Sequence, residues 1–238
     1  MIEWLCIAAV IFAASPSVAH ADWSAAAFVG GAHTASSSLH VRQPGRSTDL
    51  LFSPVVYAGE SFRSPIYYGY RLRYLFRSPS WFGLEGEVIH LKVFAETGKS
   101  ATVQGVLAGA AITRSAPIAD IVQRFSISHG VNLALVNAVG RRRLGTAHGR
   151  FALIGRAGAG ITVPHAESAI RGQSTEHYQL GSFAFQLASG AEMAVRGGLA
   201  VLAEYKYSRT RQSVDVAEGT ATTLLSSHHA VVGLSYQF

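Results

Sequence analysis

The stretch that decides the fold is IYYGYRLRYLF, residues 66–76, in which two kinds of side chain alternate. Successive side chains of a strand point to opposite faces, so this period of two indicates a β-strand. One face is aromatic and aliphatic, with Ile66, Tyr68, Tyr70, Leu72, Tyr74 and Phe76. The other face is more polar, with Tyr67, Gly69, Arg71, Arg73 and Leu75.

The segment WFGLEGEV, residues 81–88, repeats the alternation after the turn RSPS, which predicts an antiparallel hairpin. If Arg73 lies opposite Glu85, the register also places Arg71 opposite Glu87. In water the charged face would be exposed, whereas in a barrel embedded in lipid the apolar face points outward and the charges pair inside. We predict that these four residues form structural ion pairs in the lumen of a barrel.

Six further segments alternate in the same way and bring the expected number of strands to eight. They are residues 23–34, 125–136, 150–163, 182–195, 199–208 and 228–238. Short turns alternate strictly with long polar or glycine-rich connections at 35–65, 95–122, 164–180 and 209–227. This arrangement predicts an all-β fold: an eight-stranded antiparallel up-and-down transmembrane β-barrel with four long extracellular loops and short periplasmic turns. Side chains fill the interior of so small a barrel, so no open pore is expected.

The first 21 residues have the features of a cleaved signal peptide. The apolar run LCIAAVIFAAS is too short to span a bilayer, and Ala19-His20-Ala21 is a small-residue cleavage site. We therefore expect residues 1–21 to direct export through the periplasm and residues 22–238 to form the barrel domain. The single cysteine, Cys6, lies in the expected signal peptide, so the exported chain would contain no disulfide.

The exported chain would be basic. Without Glu3 it has 20 basic and 13 acidic residues, a formal charge of +7. This positive charge is compatible with binding an anionic partner, such as the phosphates of lipopolysaccharide, or with a role in solubility alone. Nucleic acid is a poor candidate for the partner, because the protein is expected to be exported.

The chain ends with VVGLSYQF, residues 231–238, in which Val232, Leu234, Tyr236 and Phe238 share a face. This ending resembles the last strand of small bacterial outer-membrane barrels of the OmpA-like, opacity-type porin family. The resemblance implies that Tyr236 and Phe238 are read by the barrel-assembly machinery and that the protein is a monomer in the outer membrane. A soluble lipocalin-like barrel also has eight strands, but it buries its apolar faces inward and gives a terminal Phe no role.

Histidines are concentrated at one end of the expected barrel. The loop side would carry His33, His40, His90, His129, His165, His177, His228 and His229, whereas His148 alone would lie in a periplasmic turn. Glu96, Glu167 and Glu176 fall on the loop side too. Such a rim is compatible with metal binding, with acid–base chemistry, or with contacts to lipid head groups.

Several phrases resemble the outer-membrane lipid A oxidase family: PIYYGYR at 65–71, the series Glu87, His90 and Lys92, SHGVNLALVNAVGR at 128–141, and AGAGITVPHAES at 157–168. The resemblance implies oxygen-dependent oxidation of the proximal glucosamine of lipid A to an aminogluconate, with a divalent metal of unassigned identity. The polar residues of these phrases are the candidates for the site. The candidate catalytic residues are His90, His129, His165 and Glu167, and Lys92 is the candidate phosphate-binding residue.

Two other functions remain open from the sequence. The first is a non-catalytic structural or adhesive barrel whose loops bind a partner. The second is lipid A deacylation, which needs a Ser and a His together at the lipid-facing rim. If residues 125–136 form one strand, Ser128 and His129 point to opposite faces and do not supply that pair.

Overall fold

The computed structural model describes residues 23–145 and 149–238 and contains seventeen strands. The predicted signal peptide and His148 lie outside the described residues. In chain order the strands are β1 (Trp23–Thr34), β2 (Ser37–Gln43), β3 (Thr48–Val55), β4 (Tyr57–Ala58), β5 (Tyr68–Leu75), β6 (Phe82–His90), β7 (Val93–Ala95), β8 (Ser100–Leu107), β9 (Ala110–Pro117), β10 (Val122–Ile127), β11 (Leu133–Arg143), β12 (Phe151–Thr162), β13 (His165–Ile170), β14 (Gln173–Tyr178), β15 (Phe183–Arg196), β16 (Leu199–Val216) and β17 (Gly219–Gln237). Two short 3-10 helices cover Pro44–Arg46 and Ile118–Asp120. Neither has the length and apolar sequence that a helix needs to cross a membrane, and no other helix occurs in the described ranges.

Eight of the strands form a closed antiparallel barrel. Their order is β1, β5, β6, β11, β12, β15, β16 and β17, and β17 pairs with β1 to close the ring. The closing pair is in continuous register from Ser24 opposite Gln237 to Thr34 opposite Ser227. The predicted eight-stranded up-and-down barrel is confirmed.

The hairpin β5–β6 has the predicted register. Arg71 lies opposite Glu87 and Arg73 lies opposite Glu85, with all four side chains buried inside the barrel. The aromatic face points outward, since Tyr70 is 55% exposed on the outer surface. The wall of the barrel is thus apolar outside and charged inside.

The lumen contains a network of eight buried charged side chains, four cationic and four anionic, which the partly exposed Arg141 joins through Glu192. The cations are Arg71, Arg73, Arg156 and Lys206, and the anions are Glu85, Glu87, Glu192 and Glu204. The ion pairs cross the lumen in addition to following the hairpin. Arg71 Nη2 lies 3.2 Å from Glu87 Oε1, as the register suggests, and also contacts Glu204. Arg73 Nη1 pairs instead with Glu192 Oε1 at 2.8 Å, and Glu85 Oε1 accepts from Arg156 Nε at 2.8 Å.

The long connections form additional β-structure beyond the barrel wall. Strands β2, β3, β8 and β9 extend the sheet from the far end of β17, and β14, β13, β10, β7 and β4 form a separate five-stranded sheet. We call this part the cap: strands β2–β4, β7–β10, β13 and β14, together with residues 209–227 of β16 and β17. Its interior is apolar, with Leu39, Leu50, Phe52, Val214 and Leu225 fully buried. The end of the barrel that carries the cap is called the loop end below.

Three strand predictions were wrong in their limits. The segment 125–136 is two strands, β10 and β11, separated by a turn at residues 128–132. Leu133 and Leu135 would face outward as apolar residues of a single lipid-exposed strand, but they are buried inside, because the turn at 128–132 shifts the alternation. Strands β16 and β17 continue through 209–227 as one long hairpin, since the polar residues there still alternate with apolar ones.

The carboxy terminus closes the barrel at the end opposite the cap. The backbone N–H of Phe238 donates to the Trp23 carbonyl oxygen at 3.1 Å. Tyr236 and Phe238 are 43% and 50% exposed on the outer surface, and their rings stack with centroids 6.5 Å apart. Their predicted recognition by the assembly machinery stays a prediction.

Candidate functional site

The turn at residues 128–132 sets the position of the site at the loop end. Gly130 has φ 98°, and a Cβ atom there would lie 2.5 Å from His90 Nδ1, so glycine is required for both reasons. Asn132 also has a positive φ of 46°, and its side-chain amide donates to the carbonyl oxygens of His129, Gly130 and Val163. These bonds fix the turn and present His129 at the surface of the loop end.

Ser128 and His129 contact each other, contrary to the expectation from a continuous strand. Both residues lie in the turn, where the strand rule of opposite faces does not apply, and Ser128 Oγ is 3.0 Å from His129 Nδ1. A Ser and a His are therefore together at the loop end.

The hairpin β13–β14 supplies the other members of the site. Its two turn residues, Arg171 and Gly172, have positive φ values of 49° and 79°, which is the geometry of a two-residue type I′ turn. This turn sets the register, in which Glu167 lies opposite Glu176. Strand β13 also pairs with β10, which brings Glu167 opposite Ser126 and next to the 128–132 turn.

Four side chains with metal-ligating atoms converge between the turn and the hairpin: His129, His165, Glu167 and Glu176, called the histidine–carboxylate cluster below. One ligand atom from each lies within 4.8 Å of the others. His129 Nδ1 is 3.0 Å from His165 Nδ1 and 3.6 Å from Glu167 Oε1, and His165 Nε2 is 3.5 Å from Glu176 Oε1. His165 and Glu167 are buried, whereas His129 and Glu176 are exposed, so the cluster opens to the surface on one side.

Two neighbours orient the buried carboxylate of the cluster. Arg124 Nη2 lies 2.5 Å from Glu167 Oε2, and the hydroxyl of Ser128 donates to Glu167 Oε1. The Arg124 side chain is itself 58% exposed, so its remaining N–H groups face solvent. Outer partners of this kind hold a ligating carboxylate in place in metal centres.

The donor set fits a divalent metal. Two imidazoles and two carboxylates are typical of zinc and of other first-row divalent metals. Ligands about 2.1 Å from an ion lie at most about 4.2 Å apart, and about 3.4 Å apart in a tetrahedral site, so the widest pair of the cluster would need to approach by up to about 1.4 Å. The exposed residues His129 and Glu176 have the freedom to make this movement.

His90 lies beside the cluster but outside it. Its ring stacks on Tyr68 with centroids 4.9 Å apart, and its Nδ1 is 2.9 Å from Asn132 Oδ1. The other ring nitrogen is buried without a hydrogen-bond partner. His90 therefore supports the turn that carries His129, and its predicted catalytic role stays a prediction.

Lys92 is directed away from the cluster. Its Nζ donates to the Arg63 carbonyl oxygen at 2.9 Å and lies 5.7 Å from the centre of the Phe94 ring, and the residue is only 4% exposed. Phosphate binding by Lys92 would require it to leave these contacts.

Sequence reasoning missed Arg124 and gave Glu176 only a place on the loop side. Glu176 had a signal: positions 167 and 176 are equidistant from the Arg-Gly pair at 171–172, a sequence compatible with a two-residue turn. Arg124 had none, because its contact with Glu167 depends on the pairing of β10 with β13. Residues 164–180, which contain β13, were expected to be a loop, and residue 124 lay outside the predicted strand 125–136.

The surface next to the cluster is apolar. His165 packs against Tyr178 with ring centroids 4.2 Å apart, and Tyr178 is 60% exposed. Leu180 follows in the connection to β15 and Phe183 is the first residue of β15; they are 74% and 67% exposed. The cluster thus lies at the boundary between the cap and the outward apolar face of the wall.

The chain is similar to several solved structures and to one protein family. No curated protein matches the sequence. Among solved structures, the chain is similar to Neisserial surface protein A (TM-score 0.42, 10% identity, 91% of this chain and 97% of that one covered). It is also similar to the outer membrane protease OmpT from Escherichia coli (0.47, 12%, 94% and 99%) and to outer membrane protein AlkL (0.43, 12%, 95% and 94%).

The sequence as a whole matches one family model, described as the outer membrane protein beta-barrel domain, over residues 5–238. The match includes all eight barrel strands and the cap. The chain belongs to the outer membrane protein beta-barrel family.

Proposed function

We propose that the protein modifies lipid A in the outer leaflet, with the histidine–carboxylate cluster as its reactive centre. The observation that carries the proposal is the convergence of His129, His165 and Glu167, three of the four predicted catalytic residues, with Glu176. The cluster borders an exposed apolar surface, so a glycolipid could keep its acyl chains against the wall while its sugar reaches the cluster.

The reaction proposed from the resemblance is oxidation of the proximal glucosamine. On a lipid A whose anomeric hydroxyl carries no phosphate, the hemiacetal carbon would lose two electrons and two protons to give a lactone, and molecular oxygen would receive them as hydrogen peroxide. Water then opens the lactone to the aminogluconate. A divalent metal bound by the cluster would supply Lewis acidity and a place for oxygen chemistry.

The remaining residues have supporting roles in this proposal. His165, Glu167 and Glu176 would hold the metal, with Glu167 kept in orientation by Arg124 and Ser128. The exposed His129 would stay uncoordinated and move a proton at the sugar hydroxyl. Arg124 contacts the cluster directly and is exposed, so we assign the phosphate contact to it in place of the buried Lys92.

Mass spectrometry of lipid A tests the proposal. A deletion strain complemented with the wild-type gene should contain lipid A with the mass of one additional oxygen atom, and the deletion strain should lack it. The variant His165→Ala should abolish the shift. His177→Ala is the matched control, because His177 lies on the same hairpin outside the cluster and should leave the shift unchanged.

Deacylation is a second candidate because Ser128 and His129 are in contact. The geometry is unfavourable for a triad, since Ser128 Oγ and Glu167 Oε1 approach the same nitrogen of His129, at 3.0 and 3.6 Å. A triad needs the hydroxyl and the carboxylate on different ring nitrogens. If the wild-type spectra show lipid A that lacks one acyl chain, and Ser128→Ala lipid A keeps that chain, the activity is deacylation and not oxidation. If lipid A is the same in every strain, a structural or adhesive barrel is supported.

A further inference from the structure

A groove crosses the outward face of the wall about half of the barrel circumference away from the cluster, where β17 closes on β1. Its volume is about 760 Å³. The floor is the pair Gly31 and Ala230, which lie opposite each other in the register and are the smallest residues available at such positions. A pair of small side chains leaves a depression in an otherwise bulky apolar surface.

Large apolar and aromatic side chains form the two banks. On one side, residues 59–66 lean over β1, where Ser61 Oγ accepts the backbone N–H of Ala32 at 3.0 Å. Phe62 and Ile66 project from this segment and are 84% and 45% exposed. On the other side is Tyr205 of β16, which is paired with Ala230.

The groove has a polar end and an apolar end. At the loop end, His33 and His228 lie opposite each other and face outward, and the Tyr205 hydroxyl is 2.5 Å from His228 Nδ1. Away from the loop end, the next outward pair is Val29 and Val232. A second cavity of about 460 Å³ shares Tyr205, Ala230 and Val232 with the groove and continues along the wall.

We infer that this groove binds one acyl chain of an outer-leaflet lipid, with the ester end of the chain near His33 and His228. The wall of an outer-membrane barrel faces hydrocarbon, so the occupant of an apolar depression in it is a lipid chain. The polar pair lies toward the loop end, where the head groups of the outer leaflet are, and the apolar floor points toward the bilayer centre. This site goes beyond the proposed function and does not depend on the cluster.

Photocrosslinking in vesicles tests the inference. The complete barrel is reconstituted in phosphatidylcholine that contains a small fraction of phosphatidylcholine with a diazirine in the middle of one acyl chain. After illumination, adducts on Ile66 and Val232 are compared with adducts on Val136, an outward residue that is 65% exposed on the opposite wall. We expect an enrichment of about threefold, a modest value because lipid competes with lipid and only packing differs.

Two matched substitutions test whether the enrichment depends on the groove or is a general property of the outward wall. Ala230→Trp fills the floor and should reduce the enrichment to about one, whereas Ala157→Trp, at an outward alanine of β12, should leave it unchanged. Equal labelling of both walls in the wild type, or an enrichment that survives Ala230→Trp, would overturn the inference. If Ala230→Trp fails to insert, as judged by heat-modified gel mobility, Phe62→Ala removes one bank and should lower the enrichment as well.

Discussion

The wall and the cap place their polar and apolar side chains on opposite sides of the same strands. On β16, the wall portion has Tyr205 outward and Lys206 inward, whereas the cap portion has Arg211 outward and Val214 inward. The backbone geometry is continuous between them, so the reversal comes from the sequence alone. A strand presents apolar residues to whichever side lacks water: the bilayer around the wall, and the interior of the cap.

The two interiors are therefore stabilised by different forces. The cap has a close-packed apolar core of the kind found in soluble β-proteins, with Phe52, Leu39 and Leu225 fully buried. The lumen of the wall contains charges that have lost their water and depend on one another. Removing one residue should consequently cost stability for different reasons in the two regions.

The largest expected effect is the loss of a lumen carboxylate. Glu87 accepts hydrogen bonds from Lys206, Gln186 and Asn137 and pairs with Arg71. Glu87→Ala leaves buried cations without a counter-ion, and we expect the free energy of unfolding to fall by about 3–5 kcal/mol. Urea unfolding in lipid vesicles, followed by tryptophan fluorescence, measures the change.

A double variant distinguishes uncompensated charge from lost packing. Glu87→Met with Lys206→Met removes one charge of each sign and leaves three buried cations and three buried anions in the lumen. Replacement of a buried pair by apolar residues is often close to neutral, so this variant should regain most of the lost stability. If the double variant is as unstable as Glu87→Ala, charge balance is not the main force in the lumen.

The second largest effect is expected from an arginine placed on the outward face of the wall, compared with one on the outward face of the cap. Leu187 is 54% exposed in the middle of the wall, and Leu187→Arg should cost about 2–4 kcal/mol if it lies near the centre of the bilayer. Ser213 is an outward residue of β16 in the cap, and Ser213→Arg should leave the free energy of unfolding nearly unchanged because its side chain faces water. Equal costs at the two positions would mean that the wall and the cap face the same medium.

The strands of the wall could be predicted in detail because the surrounding lipid determines the alternation of apolar and polar residues along all of them. The spacing of Arg71 and Arg73 against Glu85 and Glu87 was sufficient to give the register of β5 and β6. It did not give the ion-pair partners, since Arg73 reaches across the lumen to Glu192, on a strand that is distant in sequence.

The cap could not be predicted because its alternation has the opposite sense and its strands are short. Most outward positions in 209–227 are polar, such as Arg211 and Thr220, and apolar residues such as Val214 and Leu225 point inward, so the pattern of a lipid-facing strand is lost there. The same reversal concealed the boundary between β10 and β11, because the apolar series Phe125, Ile127, Leu133 and Leu135 runs through a turn with little change of composition. The cluster lies at that boundary, so its residues could be named but not brought together.

The smallest expected effect concerns an exposed ion pair of the cap. The hydrogen bond from the His40 ring, 2.6 Å from Asp49 Oδ1, holds the pKa of the Asp49 carboxyl below its ordinary value, with Arg42 3.2 Å from its other oxygen. A lowered folded-state pKa stabilises the protein above the unfolded-state pKa of about 3.9, and this contribution is lost as the pH falls through the folded-state pKa. Since the Asp49 side chain is 54% exposed, solvent screening limits the contribution to less than about 1 kcal/mol. Asp49→Asn should therefore lower Tm slightly at neutral pH, and wild type and variant should converge in strong acid. A Tm difference that persists when the carboxylate is protonated would show that Asp49 acts through packing. The lumen carboxylates, in contrast, are expected to act through their charge.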